Sequence, residues 1–338
     1  MILPVFLALS TLAAWIDLES LKQDFVLETK QLVIEGYPDA FNPSIVRFQE
    51  DLLLTFRIYD PVTKIAHQIG IVELDDELNP KGPPKLLQFQ SEDLGFLQKR
   101  QDPRPIVQGE ELLVIYNNLQ GIVRHHSVGR EIRRMLVGKV LRKEGEYTVQ
   151  DTGPLLHFEG ESFIRPEKNW VPFIHQDELY LSRLIHPHQV FKPRLEYKGA
   201  DLIAETTPPI DWQWGDLRGG TPALLVEDGY LAFFHSCKNM RTVHSQGKLV
   251  PHYFMGAYMF SAEPPFQLTK ISTEPIIAPG FYHGKEYKTW KPLHVVFPGG
   301  FIINDQFIWI AYGRQDHEVW IVKLDKEKLL ASMREISQ

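Results

Sequence analysis

The chain has one cysteine, Cys237, in 338 residues, so no intrachain disulfide and no cysteine-based zinc site can form. That cysteine ends the apolar run before it, in His235-Ser236-Cys237, and reads as a buried structural thiol rather than a nucleophile. A basic excess is lacking: 36 Lys and Arg stand against 43 Asp and Glu, giving a net charge of -7 and a pI near 6.0, which argues against a partner held through nucleic-acid phosphates. No helical periodicity recurs between the apolar runs, which argues against a parallel α/β fold. Several chemical signatures are absent too. No Gly-x-Ser-x-Gly elbow points to a serine hydrolase, and no GK[ST] ending makes a phosphate-binding loop. The 13 histidines, including His125-His126, His186-Pro187-His188, His244 and His252, show no HExxH spacing, so no metal or other cofactor is expected.

Long apolar runs are also missing, with one partial exception. Ile2 to Ile16 carries no charge, but it is too short for a stable membrane span. It fits the apolar region of a secretory signal, with Thr11, Ala13 and Ala14 near a cleavage point, although no Lys or Arg precedes it. The alternative is a first element packed on the fold. Residues 1–20 are therefore set apart as a signal peptide or N-terminal segment, and residues 21–338 are expected to form one domain. A signal implies a secreted or periplasmic protein; without one the protein is cytoplasmic.

What the sequence does have is an internal repeat. Five segments carry a proline, an apolar run, a polar turn and a second apolar run. The prolines are Pro43, Pro103, Pro172, Pro222 and Pro298. The turns are Glu50-Asp51, Glu110-Glu111, Asp177-Glu178, Glu227-Asp228 and Asn304-Asp305. Apolar runs flanking a short polar turn are the signal of a β-hairpin. A further strand-like stretch follows each hairpin, beginning near His67, Met135, His188, Met255 and Glu318. Five such sheets predict an all-β, five-bladed β-propeller; a β-sandwich would not demand five copies of one hairpin.

In a propeller the innermost strands line a central channel, so residues beside the repeated prolines converge there. These are Asn42, Asp102, Arg104, Lys168, Asn169, Gly220 and Thr221. Asp102, in Gln101-Asp102-Pro103-Arg104, is a candidate catalytic acid, because desolvation in a channel raises a carboxyl pKa; the alternative is a turn cap before proline. Lys168 can bind an anion, and Asn169 can make directed hydrogen bonds to sugar hydroxyls. Trp170 reads better as packing than as a sugar platform. Arg57, in the otherwise apolar run Phe56-Arg57-Ile58, either pairs with a pocket carboxylate or contacts substrate. In Arg218-Gly219-Gly220-Thr221 the glycines allow backbone to approach a ligand and Arg218 adds donors. His235 and Tyr253 are further anion donors, and Asp316 is a second carboxyl.

Taken in order, these residues resemble glycoside hydrolase family 130, the β-mannoside phosphorylases and related mannosidases. The likeness covers about residues 38 to 325. It is carried by Asn42-Pro43, Phe56-Arg57, Asp102-Pro103-Arg104, Lys168-Asn169 and Gly220-Thr221-Pro222. Phe234-His235-Ser236, Tyr253 with Met255-Gly256, Phe297-Pro298, Tyr312-Gly313 and Asp316 complete it. The resemblance implies a five-bladed fold, a carbohydrate substrate and inverting attack on a β-mannoside. Inorganic phosphate is the co-substrate where the enzyme is a phosphorylase. It further implies Asp102 as proton donor through a substrate hydroxyl, and Lys168, His235 and Tyr253 around phosphate. Asn42, Arg57, Asn169 and Asp316 would then hold the mannosyl unit. Lys168 stands where many of the phosphorylases carry Arg, which weakens the grip on phosphate. The alternatives are an inverting mannosidase, a mannosyltransferase, and a non-catalytic propeller that binds glycan or protein. An inverting hydrolase needs a second carboxylate about 6.5–9.5 Å from the acid.

Overall fold

The computed structural model describes residues 15–59, 66–90, 99–125, 128–161, 166–227, 229–287 and 293–337. The apolar stretch read as a signal lies outside them apart from its last residues, as do His126 and the turn residue Asp228.

Each of the five proline-led segments forms an antiparallel hairpin, and the hairpins are the inner halves of five sheets. Blade one runs Phe41–Phe48, Asp51–Tyr59, Ala66–Leu74 and Lys85–Leu86. Blade two runs Gln101–Gln108, Glu111–His125, Val128–Lys143 and Glu146–Pro154, with Gln88–Gln90 added in parallel at its outer edge. Blade three runs Val171–His175, Glu178–Leu184, His188–Arg194 and Gly199–Thr206. Blade four has Arg218–Gly219 and Leu224–Val226 on its inner side, then Gly229–Met240, Val250–Ser261 and Leu268–Ser272. Blade five runs Val296–Ile303, Phe307–Arg314 and Glu318–Asp325.

The ring closes with strands from both ends of the chain. Val26–Leu32 pairs with Glu318–Asp325 and completes blade five from the N-terminal side. After the helix Lys326–Ser332, capped by Asp325, the strand Met333–Glu335 joins the outer edge of blade four. Both ends of the chain are thereby tied into the ring, and Val26–Leu32 and Met333–Glu335 become the outer edges of blades five and four.

The core is distributed between blades rather than within one layer. Five buried clusters each join two neighbouring sheets. Leu54, Phe56 and Val72 of blade one, for example, pack on Ala311, Val319 and Ile321 of blade five. Leu231, Phe233 and Met255 of blade four meet Val296, Ile308 and Tyr312 of blade five in the same way. Each such large side chain, fully buried, contributes about 1.5–3 kcal/mol. Trp170 is one of them: it is fully buried against Phe158 and Phe191, so it serves packing and has no face for a sugar.

Candidate active site

The two residues that precede Pro43 and Pro103 are built alike. Asn42 and Asp102 both have left-handed backbone, with φ of 45° and 54°, and the ladder of each hairpin slips a register at that point. Asn and Asp tolerate this conformation better than other non-glycine residues, and a bulge re-aims the side chain it carries. Asn169 (φ 65°) is turned similarly just before the inner strand of blade three. The result is that Asn42, Asp102 and Asn169, far apart in the chain, share one hydrogen-bonded network.

Asp102 is its hub. Arg57 Nη1 donates to Asp102 Oδ1 at 2.9 Å and Asn42 Nδ2 donates to the same oxygen at 3.1 Å. Asn117 Nδ2 donates to Asp102 Oδ2 at 3.3 Å, while Arg133 Nη1 donates to Asn117 Oδ1 at 3.0 Å and fixes which way that amide faces. Arg133 is neutralised by Glu131 at 2.7 Å. Arg104 is fully buried and ties three inner strands together. It donates to the Asp102 carbonyl (3.1 Å), to Asn169 Oδ1 (3.3 Å) and to the Gly220 carbonyl. Burial lowers the Arg104 pKa to about 10, so it stays charged, with Asp102 supporting that charge.

These cations reverse the shift expected for Asp102 from its position. Burial alone pushes its pKa up, but Arg57, Arg104 and Lys168, with the Asn42 hydrogen bond, together hold the carboxyl well below the usual aspartate range. Asp102 is therefore a carboxylate in this arrangement. Asp316 moves the opposite way: burial and the nearby Asp102 charge raise its pKa, against the pull of Arg57, His317 and Lys168. The two carboxyls thus sit in one field with their affinities for a proton pushed apart.

On the other side the charge is positive. Lys168 is open to the water of the channel yet enclosed by protein; burial, Arg133, Arg218 and Arg57 lower its pKa while Asp102 supports its charge. Among the described residues neither Lys168 nor the exposed Arg218 has a carboxylate within ion-pair distance. His235 lies between Tyr253, stacked at 5.8 Å between ring centroids, and Phe297 at 4.8 Å. Burial, then Arg218, Arg104 and Lys168, drive its pKa well down against Asp102, so it is a neutral donor rather than a cation. Its Nδ1 is buried and has no partner among the described residues. The Tyr253 phenol is pushed up, chiefly by burial, and keeps its proton.

Two of the expected contacts are different in kind. On their Cβ side Gly219 and Gly220 of Arg218-Gly219-Gly220 are pressed against protein: a Cβ on Gly219 would lie 2.1 Å from the Asn169 carbonyl oxygen, and one on Gly220 would lie 2.5 Å from that of Phe233, while Gly219 also lines the cavity between blades three and four. Thr221 is fully buried, with its hydroxyl donating to the Pro222 carbonyl at 2.7 Å and accepting from the Phe233 amide at 3.0 Å. Both positions fasten the inner edge of blade four.

The channel end opens sideways into a cavity of about 810 Å³ between blades three and four. Lys168, Asn169 and Arg218 stand at its inner wall, with His186, Trp212 and Asp216 further out. Neither Asn117 and Arg133 nor this outer wall was anticipated from the sequence. For Asn117 a signal existed. It is the first polar residue after Leu-Leu-Val-Ile-Tyr, as Arg57 follows Leu-Leu-Leu-Thr-Phe and His235 follows Leu-Ala-Phe-Phe. Arg57 pairs with Phe41 and Asn117 with Gln101, each one residue before the bulge, so the two side chains occupy equivalent places.

The axis of this five-bladed propeller thus gathers one carboxylate hub, a second carboxyl and, among the described residues, two cations without a carboxylate partner. The sequence model described as beta-1,4-mannooligosaccharide phosphorylase matches residues 20–335, and the chain belongs to glycoside hydrolase family 130. Among curated proteins no sequence matches. Among solved structures it is similar to a glycosyl hydrolase from Bacteroides ovatus (14% identity, TM-score 0.60, covering 96% of this chain and 95% of that one). It is also similar to a beta-1,2-mannobiose phosphorylase from Listeria innocua (14%, TM-score 0.57, 90% and 92%). A third is a GDP-Man-dependent mannosyltransferase from Leishmania mexicana (11%, TM-score 0.55, 90% and 91%). At these identities the likeness shows the fold, and the fold serves more than one reaction.

Proposed function

We propose that this chain is an inverting β-mannoside phosphorylase. Phosphate oxygen attacks the anomeric carbon from the face opposite the glycosidic bond. As the new C–O bond forms, the bond to the leaving sugar breaks and its electron pair takes a proton from Asp102, relayed by a substrate hydroxyl. The products are mannose 1-phosphate and the shortened glycan. Lys168, Arg218, Tyr253 and neutral His235 hold the phosphate. Asn42, Arg57, Asn169 and Asp316 hold the mannosyl unit, with Arg104 positioning Asp102 and Asn169 from behind. The cavity beyond Asn169 takes the leaving sugar. The observation that carries this reading is the pair of cations, Lys168 and Arg218, which among the described residues have no carboxylate partner, near a buried His235 nitrogen that has no partner among them either. A neutral sugar does not need them; an anionic nucleophile does.

The test is incubation with β-mannooligosaccharides with and without phosphate. Mannose 1-phosphate should form only with phosphate, and equal sugar release in its absence would overturn phosphorolysis. Lys168→Ala should raise the phosphate KM by about tenfold or more, the scale of one lost charged hydrogen bond, with a smaller change in the glycan KM. The second reading is an inverting hydrolase, favoured by the divergent Asp102 and Asp316 carboxyls, a pattern that divides acid from base. It predicts release of free mannose that phosphate does not accelerate.

A pH dependence follows from the depressed Asp102 pKa. A carboxyl held down by cations must acquire a proton before it can donate one, so activity should fall as pH rises. Phosphate beside Lys168 and Arg218 offsets their field and lifts the Asp102 pKa. Raising phosphate should therefore move the alkaline limb of the kcat/KM profile for glycan to higher pH. A limb that does not move with phosphate would separate the anion site from the acid.

A further inference from the structure

Away from the axis, the segment around the turn Leu18–Leu21 is fastened to the region joining blades four and five by carboxylates and histidines. Asp17 caps the turn, accepting the Glu19 amide at 3.0 Å. The Glu19 carboxylate accepts the backbone N–H groups of Gly280, Tyr282 and His283, at 3.1, 2.7 and 2.8 Å. Its Oε2 also lies 3.0 Å from His283 Nδ1, which fixes that ring. The His283 ring in turn lies edge-on to His244, with 4.4 Å between centroids.

His244 has a valence problem. Its side chain is fully buried, and its Nε2 is 3.1 Å from both the Leu18 amide nitrogen and Asp17 Oδ1. The amide requires a lone pair on that nitrogen and the carboxylate requires a proton. Whichever tautomer forms, one of the two contacts is unsatisfied, and Nδ1 is buried without a partner among the described residues as well. A cation shared by the carboxylate and the ring nitrogens removes the conflict with Asp17, taking the Nε2 lone pair in place of the Leu18 amide.

We propose that Asp17, His244 and His283 bind one divalent transition metal ion, with zinc the best match. One ligating atom from each lies within 4.8 Å of the others, and two imidazoles with one carboxylate suit zinc with a water in the fourth position. Glu19 on His283 supplies the carboxylate–histidine support usual behind such ligands. His283 is exposed, so an ion can reach the site from solvent, and His244 also lines a cavity of about 370 Å³. The three ligands stand at positions 17, 244 and 283, so no local spacing could announce them. The ion would clip the segment before blade five's outer strand to the ring, remote from phosphate chemistry.

The test uses the full chain without a polyhistidine tag, stripped with chelator and titrated with Zn²⁺ or Co²⁺ alone. One equivalent should bind, Co²⁺ should give visible absorption bands of a low-coordinate site, and the thermal midpoint should rise with Zn²⁺. His283 is exposed, so His283→Ala should fold normally yet lose the saturable site, and Glu19→Gln should weaken it about 10–100-fold. His157→Ala, an exposed histidine elsewhere, should bind as wild type. The proposal falls if wild type shows no saturable equivalent, or if His283→Ala binds as tightly as wild type.

Discussion

Asp102→Asn should lower turnover of a β-mannoside by about 10²–10⁴-fold, the range for loss of a positioned proton donor, while glycan binding persists. The substitution keeps shape and one oxygen. That oxygen can still accept from Arg57 and Asn42, which now meet at Asp102 Oδ1 at 2.9 and 3.1 Å. What disappears is the ionisable proton and the negative charge. The lost charge gives the experiment a second readout with the opposite sign. Asp102 repels an incoming anion and supports the charge of Lys168. Without it, phosphate should bind more tightly even as turnover collapses. A variant that had merely misfolded would lose both. If the variant turned over glycan at more than a tenth of the wild-type rate, Asp102 would not be the acid. If wild type never turned over any glycan and the variant bound as well, the chain would be a binding propeller.

The hairpins were legible because they are local. Each needs only a proline, two apolar runs and a polar turn, and all five formed where those features stood. The closure of the ring was not legible, since Val26–Leu32 finds its partner in Glu318–Asp325 across almost the whole chain. Within the site, the positions beside the repeated prolines could be named because repetition places equivalent residues at equivalent points. Asn42 and Asp102 share one bulge for that reason. Their electrostatics could not be read in the same way. The Asp102 pKa is set by burial against Arg57 from blade one, its own neighbour Arg104 and Lys168 from the entrance to blade three, and the sum of such fields depends on distances that no spacing encodes. The paired glycines are ambiguous for a related reason. A glycine reports that something comes close; it does not say whether that is ligand or, as at Gly219, another strand's carbonyl.

The second large effect should appear in stability. Arg57 is the foremost counter-charge to Asp102, its guanidinium lying 4.5 Å from the Phe41 ring centroid, with Phe41 in turn stacked on Tyr59. Both partners are nearly enclosed, with side-chain exposures of 11% and 8%. Arg57→Met keeps much of the apolar stem over Phe41 but leaves the carboxylate short of its nearest cation. Breaking a buried pair in this way costs about 3–5 kcal/mol, because the remaining charge is desolvated without compensation. The pH dependence fixes the cause. In wild type the folded pKa of Asp102 lies below its unfolded value, so the ion pair's contribution is complete above the unfolded pKa and is lost as pH falls toward the folded one. In the variant, burial acts against fewer cations and the pKa rises, so acid lets the carboxyl go neutral. Denaturant unfolding should therefore show the largest gap between the two proteins near neutral pH and a shrinking gap on acidification. A gap that stayed constant with pH would mean that Arg57 stabilises the fold through its contact with Phe41 alone, and the electrostatic account of the hub would be wrong.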